Sequence, residues 1–163
     1  MTQTTDSVFR FLAEHGIAYE LAEHQRVSSI EECALPMKLL HGLMPRNYFL
    51  CPRNQSGFYL LVAHPDSLFR TSSVSRQAGA SRLSFAPEEK ISELLHTYAG
   101  AVSPLGLIFD TEQKVHLLWD KKLANEDYLL FHPLDNTMTV KVKQRELLSA
   151  LNRDITYIDM ENA

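Results

Sequence analysis

The chain has 163 residues, 45% of them hydrophobic, enough for one well-packed core and too few for two comfortable ones. Sixteen Lys and Arg stand against 20 Asp and Glu, a formal charge of -4, so no global field draws in a polyanion and any nucleic acid has to be held by a local patch. Met1–Asp6 lacks the basic start and apolar run of a signal peptide, and no apolar stretch approaches bilayer length, so neither a secreted nor a membrane-spanning reading is supported and a cytoplasmic home is the expectation. Cys33 and Cys51 have no metal spacing and make no disulfide framework.

In chain order, Ser7–His15 places Val8, Phe9, Phe11 and Leu12 on one helical face, with Asp6 as N-cap and Gly16 as stop. Tyr19, Leu21 and His24 alternate with polar neighbours as in a strand, and Ser28-Ser29-Ile30-Glu31 reads as a capping box opening a second helix that Pro36 limits or kinks. Tyr48–Leu50 and Phe58–Ala63 flank the turn-like Pro52–Gly57, predicting a hairpin. Ser72–Ala78 reads as a helix, Leu83–Phe85 as a short strand, and Pro87-Glu88-Glu89 as the first turn of a helix reaching His96.

Beyond Gly100 the pattern predicts strands over Leu107–Phe109, Val115–Trp119, Tyr128–Phe131 and Met138–Val142, then a helix over Arg145–Leu151 and a strand over Ile155–Ile158. No repeat or linker marks an internal boundary, so residues 1–163 are read as a single domain. Many strands and about five helices in irregular order predict an α/β fold of the α+β type, without regular βαβ alternation.

Signatures of the nucleophile elbow, the phosphate loop, the H-E-x-x-H metalloprotease and the dinucleotide fold are all absent. His64-Pro65-Asp66 and His132-Pro133-Leu134-Asp135 lack ligand spacing, and a His-Pro surface turn is the favoured reading over a metal. The two cysteines read as buried, inert thiols rather than nucleophiles. Trp119 and the Phe49, Phe58, Tyr59, Leu60 stripe read as sheet core rather than a stacking surface. The small-residue loop Ala99–Leu107, with Gly100 and Pro104, can aim several backbone N–H groups at one point, as an oxyanion demands, although an ordinary helix-to-strand turn has the same composition.

Three ordered blocks, Arg82–Ala86, Gly100–Leu107 and Phe131-His132-Pro133 with Asn136-Thr137 and Thr139-Val140, resemble the YbaK/ProX family of bacterial aminoacyl-tRNA deacylases, relatives of the editing domain inserted in bacterial prolyl-tRNA synthetases. The resemblance runs from about Tyr19 to Leu151 and takes in Glu23-His24 and Ser28–Cys33. It implies a curved, mixed, mostly antiparallel β-sheet flanked by helices, and a cleft where the backbone of Gly100, Ala101, Val102, Ser103 and Pro104 holds the aminoacyl carbonyl and terminal ribose. Such an ester is labile, so positioned water, a polarised carbonyl and the substrate's own neighbouring hydroxyl suffice, with neither cofactor nor metal.

The family's K-N-L-F-L strand opening is here Arg46-Asn47-Tyr48-Phe49-Leu50. Arginine keeps the charge and can fork onto phosphate, but it is planar and donates no proton near neutral pH. Arg46 thus reads as an anchor for the terminal nucleotide, as a misfit that lowers activity, or as a solvated strand start. His132 either bonds the substrate amino group or satisfies a backbone carbonyl, and Asn136, Thr137 and Thr139 either bond the ligand or close a turn.

The implied partners are the acceptor end of an aminoacyl-tRNA, for which Arg53, Lys121, Lys122, Lys141 and Lys143 are candidate contacts, and prolyl-tRNA synthetase. No oligomeric state is indicated. The expected activity is removal of a wrong amino acid, best alanine on the proline tRNA. A silent aminoacyl-tRNA-binding module and a small-molecule esterase are the competing expectations.

Overall fold

The computed structural model describes residues 2–26 and 34–161. Helix α1 (Gln3–Glu14) opens where Thr2 Oγ1 accepts from the Thr5 backbone N–H at 3.2 Å. The cap is therefore Thr2 rather than Asp6, which sits in the first turn, where a negative charge complements the helix dipole. The earlier start is invisible to apolar periodicity because Gln3-Thr4-Thr5 carries none. Strand β1 (Glu20–Glu23) follows. Helix α2 (Ala34–Leu40) contains Pro36 instead of stopping at it; the capping box at Ser28–Glu31 and Cys33 lie outside the described residues.

Strands β2 (Arg46–Pro52) and β3 (Phe58–Ala63) make the expected hairpin, pairing Arg46 with Ala63 and Leu50 with Tyr59. Helix α3 (Thr71–Ala78), strand β4 (Leu83–Phe85) and helix α4 (Glu88–Leu95) fall where the sequence places them, with Pro87 as the N-cap of α4. So do β5 (Val115–Asp120), β6 (Tyr128–Phe131), β7 (Met138–Lys143), α5 (Gln144–Leu151) and β8 (Ile155–Ile158).

Among the described strands the pairing is mixed and mostly antiparallel, β3–β5 and β5–β8 being parallel. The strands divide between two sheets, ordered β4-β2-β3-β5-β8 and β1-β7-β6. They meet where the chain entering β2 runs parallel to β6: Leu43 bridges Leu129, and its carbonyl accepts from Leu130 N–H at 2.9 Å. One apolar cluster joins Phe49, Leu60 and Leu117 of the larger sheet to Phe131 and Val140 of the smaller, and to Val102 and Leu105 beyond α4. A second covers the other face of the larger sheet through Leu50, Leu61, Val74 and Leu118.

The strand expected at Leu107–Phe109 is instead a 3-10 helix over Pro104–Phe109. Ser103 caps it, Pro104 presets its first turn, and Gly106 crosses so close to α4 that an added Cβ would lie 2.9 Å from both the Cβ and the carbonyl oxygen of Leu95. The apolar side chains that suggested a strand are buried by this crossing rather than by a ladder.

The 3-10 helix is locked at its far end by a buried ion pair. Arg153 Nη1 lies 3.0 Å from Asp110 Oδ2, the two side chains being 7% and 2% exposed. The guanidinium also donates to the carbonyls of Leu107, Asp110 and Val115, while the Asp110 carboxylate accepts from the backbone N–H groups of Lys114 and Val115. Removing one partner strands the other charge in the interior. Arg153→Ala is accordingly expected to cost about 3–5 kcal/mol in urea unfolding, and a loss below 1 kcal/mol is incompatible with this lock.

Candidate functional site

The loop that leaves α4 is held against the β6–β7 turn by three separate ties. Thr97 Oγ1 donates to the Leu134 carbonyl at 3.1 Å. Tyr98 Oη donates to Asn136 Oδ1 at 2.8 Å and accepts from Asn136 N–H at 2.9 Å. Ser103, wholly buried, donates its hydroxyl to the His132 carbonyl at 2.9 Å and accepts from Leu105 N–H.

These ties leave the loop amides in two groups. Ala99 N–H donates to Glu88 Oε1 at 2.9 Å, and Ala101 N–H donates to the Tyr98 carbonyl. Ala99–Ala101 form one turn of 3-10 helix that directs Val102 N–H back at the Ala99 carbonyl, and the N–H groups of Gly100 and Ser103 have no hydrogen-bond partner among the described residues. Gly100 is exposed, and a Cβ there would lie 3.1 Å from Asn136 Nδ2. Unpaired donors in an otherwise fully bonded loop are what a carbonyl turning into an oxyanion requires.

His132 stands at the end of β6. Its Nδ1 lies 2.8 Å from the Met138 carbonyl, which can only accept, so Nδ1 carries the proton and Nε2 is left as a lone-pair acceptor. No described protein group bonds Nε2. Burial is the main influence on the ring and pushes its pKa down; the His24 ring, 6.1 Å away, adds to this, while the Met138 bond and Asp135 oppose it. The imidazole is neutral at pH 7.

Thr139 Oγ1 links the two rings, 2.8 Å from His24 Nε2 and 3.4 Å from His132 Nδ1. His24 Nδ1 donates to the Gln25 carbonyl at 2.7 Å, so the Thr139 hydroxyl donates to His24 Nε2. Thr137 closes the turn, with both its N–H and its hydroxyl donating to Asp135 Oδ1. Burial works to raise the Asp135 carboxyl, but those two bonds, with Arg26 and His132 nearby, leave it below the usual carboxylate range.

Arg46 and Asn47 open β2, and they alone among the described residues keep a buried, unbonded side-chain atom, Arg46 Nε and Asn47 Oδ1. Backbone alternation puts Asn47 on the face of Phe49 and Cys51, in the cluster shared with Val102, and Arg46 on the opposite face with Tyr48 and Leu50. No described hydrogen bond joins Arg46 to the Gly100–Pro104 loop.

The five candidate phosphate contacts are not gathered into one patch. Arg53 follows β2, whereas Lys121 and Lys122 follow β5 at the other end of β3, a span of roughly 17 Å. Lys122 is 3.9 Å from Glu161. On the smaller sheet Lys141 pairs with Glu20 at 3.6 Å, and both Lys141 and Lys143 sit over the Tyr128 ring. Trp119 is core, its Nε1 donating to Gln144 Oε1, and burial pushes the Cys51 thiol up, away from a reactive thiolate. A cleft of about 710 Å3 lined by residues including Asp127, Tyr128, Arg145 and Tyr157 shares no residue with the loop, its turn or Arg46.

The structure thus brings together the loop and the His132 turn that the sequence singles out, and adds Tyr98, which ties them, and Asn47, whose Oδ1 is buried and unbonded. Tyr98 carries no signal beyond standing just before the loop. Asn47 was hidden because its neighbour drew attention by charge.

A family model described as the aminoacyl-tRNA editing domain matches residues 24–150. The prolyl-tRNA editing protein ProX of Acetoanaerobium sticklandii is 32% identical over 141 residues, covering 86% of each chain. The prolyl-tRNA synthetase associated domain-containing protein 1 of Danio rerio is 31% identical over 143 residues, covering 86% of this chain and 77% of that one. A solved structure described as that of a candidate trans-editing enzyme for prolyl tRNA synthetase superposes with a TM-score of 0.75 at 16% identity, covering 98% of each chain, and so shares the fold. Among the described residues no helix is long and apolar enough to cross a membrane. The matched span contains the loop, the His132 turn and Arg46, and the chain belongs to the aminoacyl-tRNA editing domain family.

Proposed function

We propose that this chain is a trans-acting deacylase that hydrolyses the ester of a mischarged tRNA, with alanine on the proline tRNA as its substrate. The observation that carries the reading is the pair of N–H groups at Gly100 and Ser103 left without a partner among the described residues, on a loop fixed to the His132 turn. Membership of the editing family and the names of the relatives supply the substrate class. The acceptor end of the tRNA and the synthetase that charged it are the partners.

Water adds to the ester carbonyl carbon, and the loop amides bond the oxygen as it gains charge. The bond from carbon to the ribose oxygen then breaks, the ribose oxygen takes a proton, and the free amino acid and tRNA leave. His132 Nε2, neutral and unbonded, accepts from the substrate amino group and orients it. Arg46, with no hydrogen-bond or ion-pair partner among the described residues, holds a phosphate of the terminal nucleotide.

Ester loss followed across a panel of aminoacyl-tRNAs tests the proposal. Release of alanine above the buffer rate is the expected outcome; binding without turnover, or turnover of model esters alone, contradicts it. In that assay Arg46→Ala is expected to lose roughly 10- to 100-fold in kcat/KM, the value of one charge-assisted contact, while Arg46→Lys keeps at least the parent rate. Gly100→Val, which drives a branched side chain toward Asn136, abolishes turnover in a domain whose melting temperature is little changed, since Gly100 is exposed. A fully active Gly100→Val protein rules out the carbonyl site.

The depressed pKa of His132 has its own signature. The folded state binds this proton less readily than the unfolded chain, so the contribution to stability is present above the ordinary histidine value of about 6.5 and is lost as pH falls below it. Urea unfolding between pH 7.5 and 5.5 is expected to show that decline in the parent and a flatter profile in His132→Asn; parallel profiles contradict it.

A further inference from the structure

Arg46, Tyr48 and Leu50 share one face of β2, and the Leu50–Phe85 register sets Phe85 on the same face of β4. Phe69 comes up against both aromatic rings. It stacks on Tyr48 at 4.8 Å with 17° between the planes, and Phe85 lies 6.2 Å from Tyr48 and 6.1 Å from Phe69. Tyr48 and Phe69 are half-buried against the second core cluster, yet the group is left open on its outer side, Phe85 being 66% exposed and Leu68, beside Phe69, 67% exposed. An aromatic group left this open marks a surface that binds something.

What stands beside the rings identifies the chemistry of the occupant. Arg46 precedes Tyr48 by two residues, roughly 7 Å along the strand, and its guanidinium has no described partner. Arg70, next to Phe69, is exposed, and its side chain has none either. Aromatic rings on the strand face that also carries Arg46, next to a segment that carries Arg70, fit the alternation of flat bases and phosphates in an unpaired nucleic acid strand. A purely apolar partner covers the rings and leaves both cations unanswered. In a chain of net charge -4, this is also a local patch that needs no help from a global field.

We propose that Tyr48, Phe69 and Phe85 form a stacking platform for the unpaired 3′-terminal nucleotides of the tRNA, with Arg46 on the phosphate between the platform and the ester. The identity of the nucleic acid rests on the deacylase reading. The position of Arg46 suits this order, because the chain leading into it runs alongside β6 toward the His132 end.

The test is binding of an unacylated oligoribonucleotide ending in CCA to the full chain, read by fluorescence anisotropy, together with KM for aminoacyl-tRNA. Phe85→Ala is expected to weaken both by roughly 5- to 100-fold, and Phe85→Trp to restore them; Phe85 is exposed enough for both variants to fold. Unchanged oligonucleotide affinity in Phe85→Ala overturns the platform, as does a variant whose only defect is loss of self-association in sedimentation. The oligonucleotide carries no ester, so the two readings fail separately. Phe85-dependent binding without turnover upholds the platform against the deacylase, and turnover with Phe85-independent binding does the reverse.

Discussion

The hydrogen bond from the Ser103 hydroxyl to the His132 carbonyl is the constraint on which the site depends. It is fully buried and 2.9 Å long, and it joins two segments 29 residues apart in the chain. The same oxygen caps the 3-10 helix that follows, so one side chain both ends the loop and starts the element that packs it down. Water cannot replace this bond at such depth, and breaking it leaves a buried hydroxyl and a buried carbonyl unpaired at once. With the Tyr98–Asn136 pair, it holds the loop amides rigid without consuming them.

In the deacylation proposed for this chain, a rigid, unspent set of donors is more useful than a strong nucleophile, because an aminoacyl ester is already reactive and the cost lies in orientation and charge development. The surroundings agree with that division of labour. His132 is held neutral by burial with its proton committed to Met138, and Thr139 ties it to His24. Asp135, the nearby carboxylate, is engaged by Thr137. Arg46, without a hydrogen-bond or ion-pair partner among the described residues, stands on another element and another face.

Much of this was legible in the chain. Alternating or clustered apolar residues located every strand except the one supposed at Leu107–Phe109, and there Pro104 and Gly106 outweighed a strand-like run because the segment had to cross α4 at contact distance. The small-residue loop and the His132 turn were visible as composition that a simple core does not need. Tyr98 and Asn47 were not, since a half-buried Tyr or Asn acquires meaning only from the atom it meets or fails to meet.

Local residue order by itself determined the periodicity of the helices and strands, the turn positions and the kinship of three short blocks, because these depend on neighbours along the chain. Tertiary structure alone decided that the strands form two sheets, which loop amides stay unpaired, which tautomer His132 adopts and that Arg46 faces the aromatic cluster with Tyr48. Each of those follows from contacts between residues distant in the chain, where burial and hydrogen-bond partners are set by packing and leave no mark on local sequence.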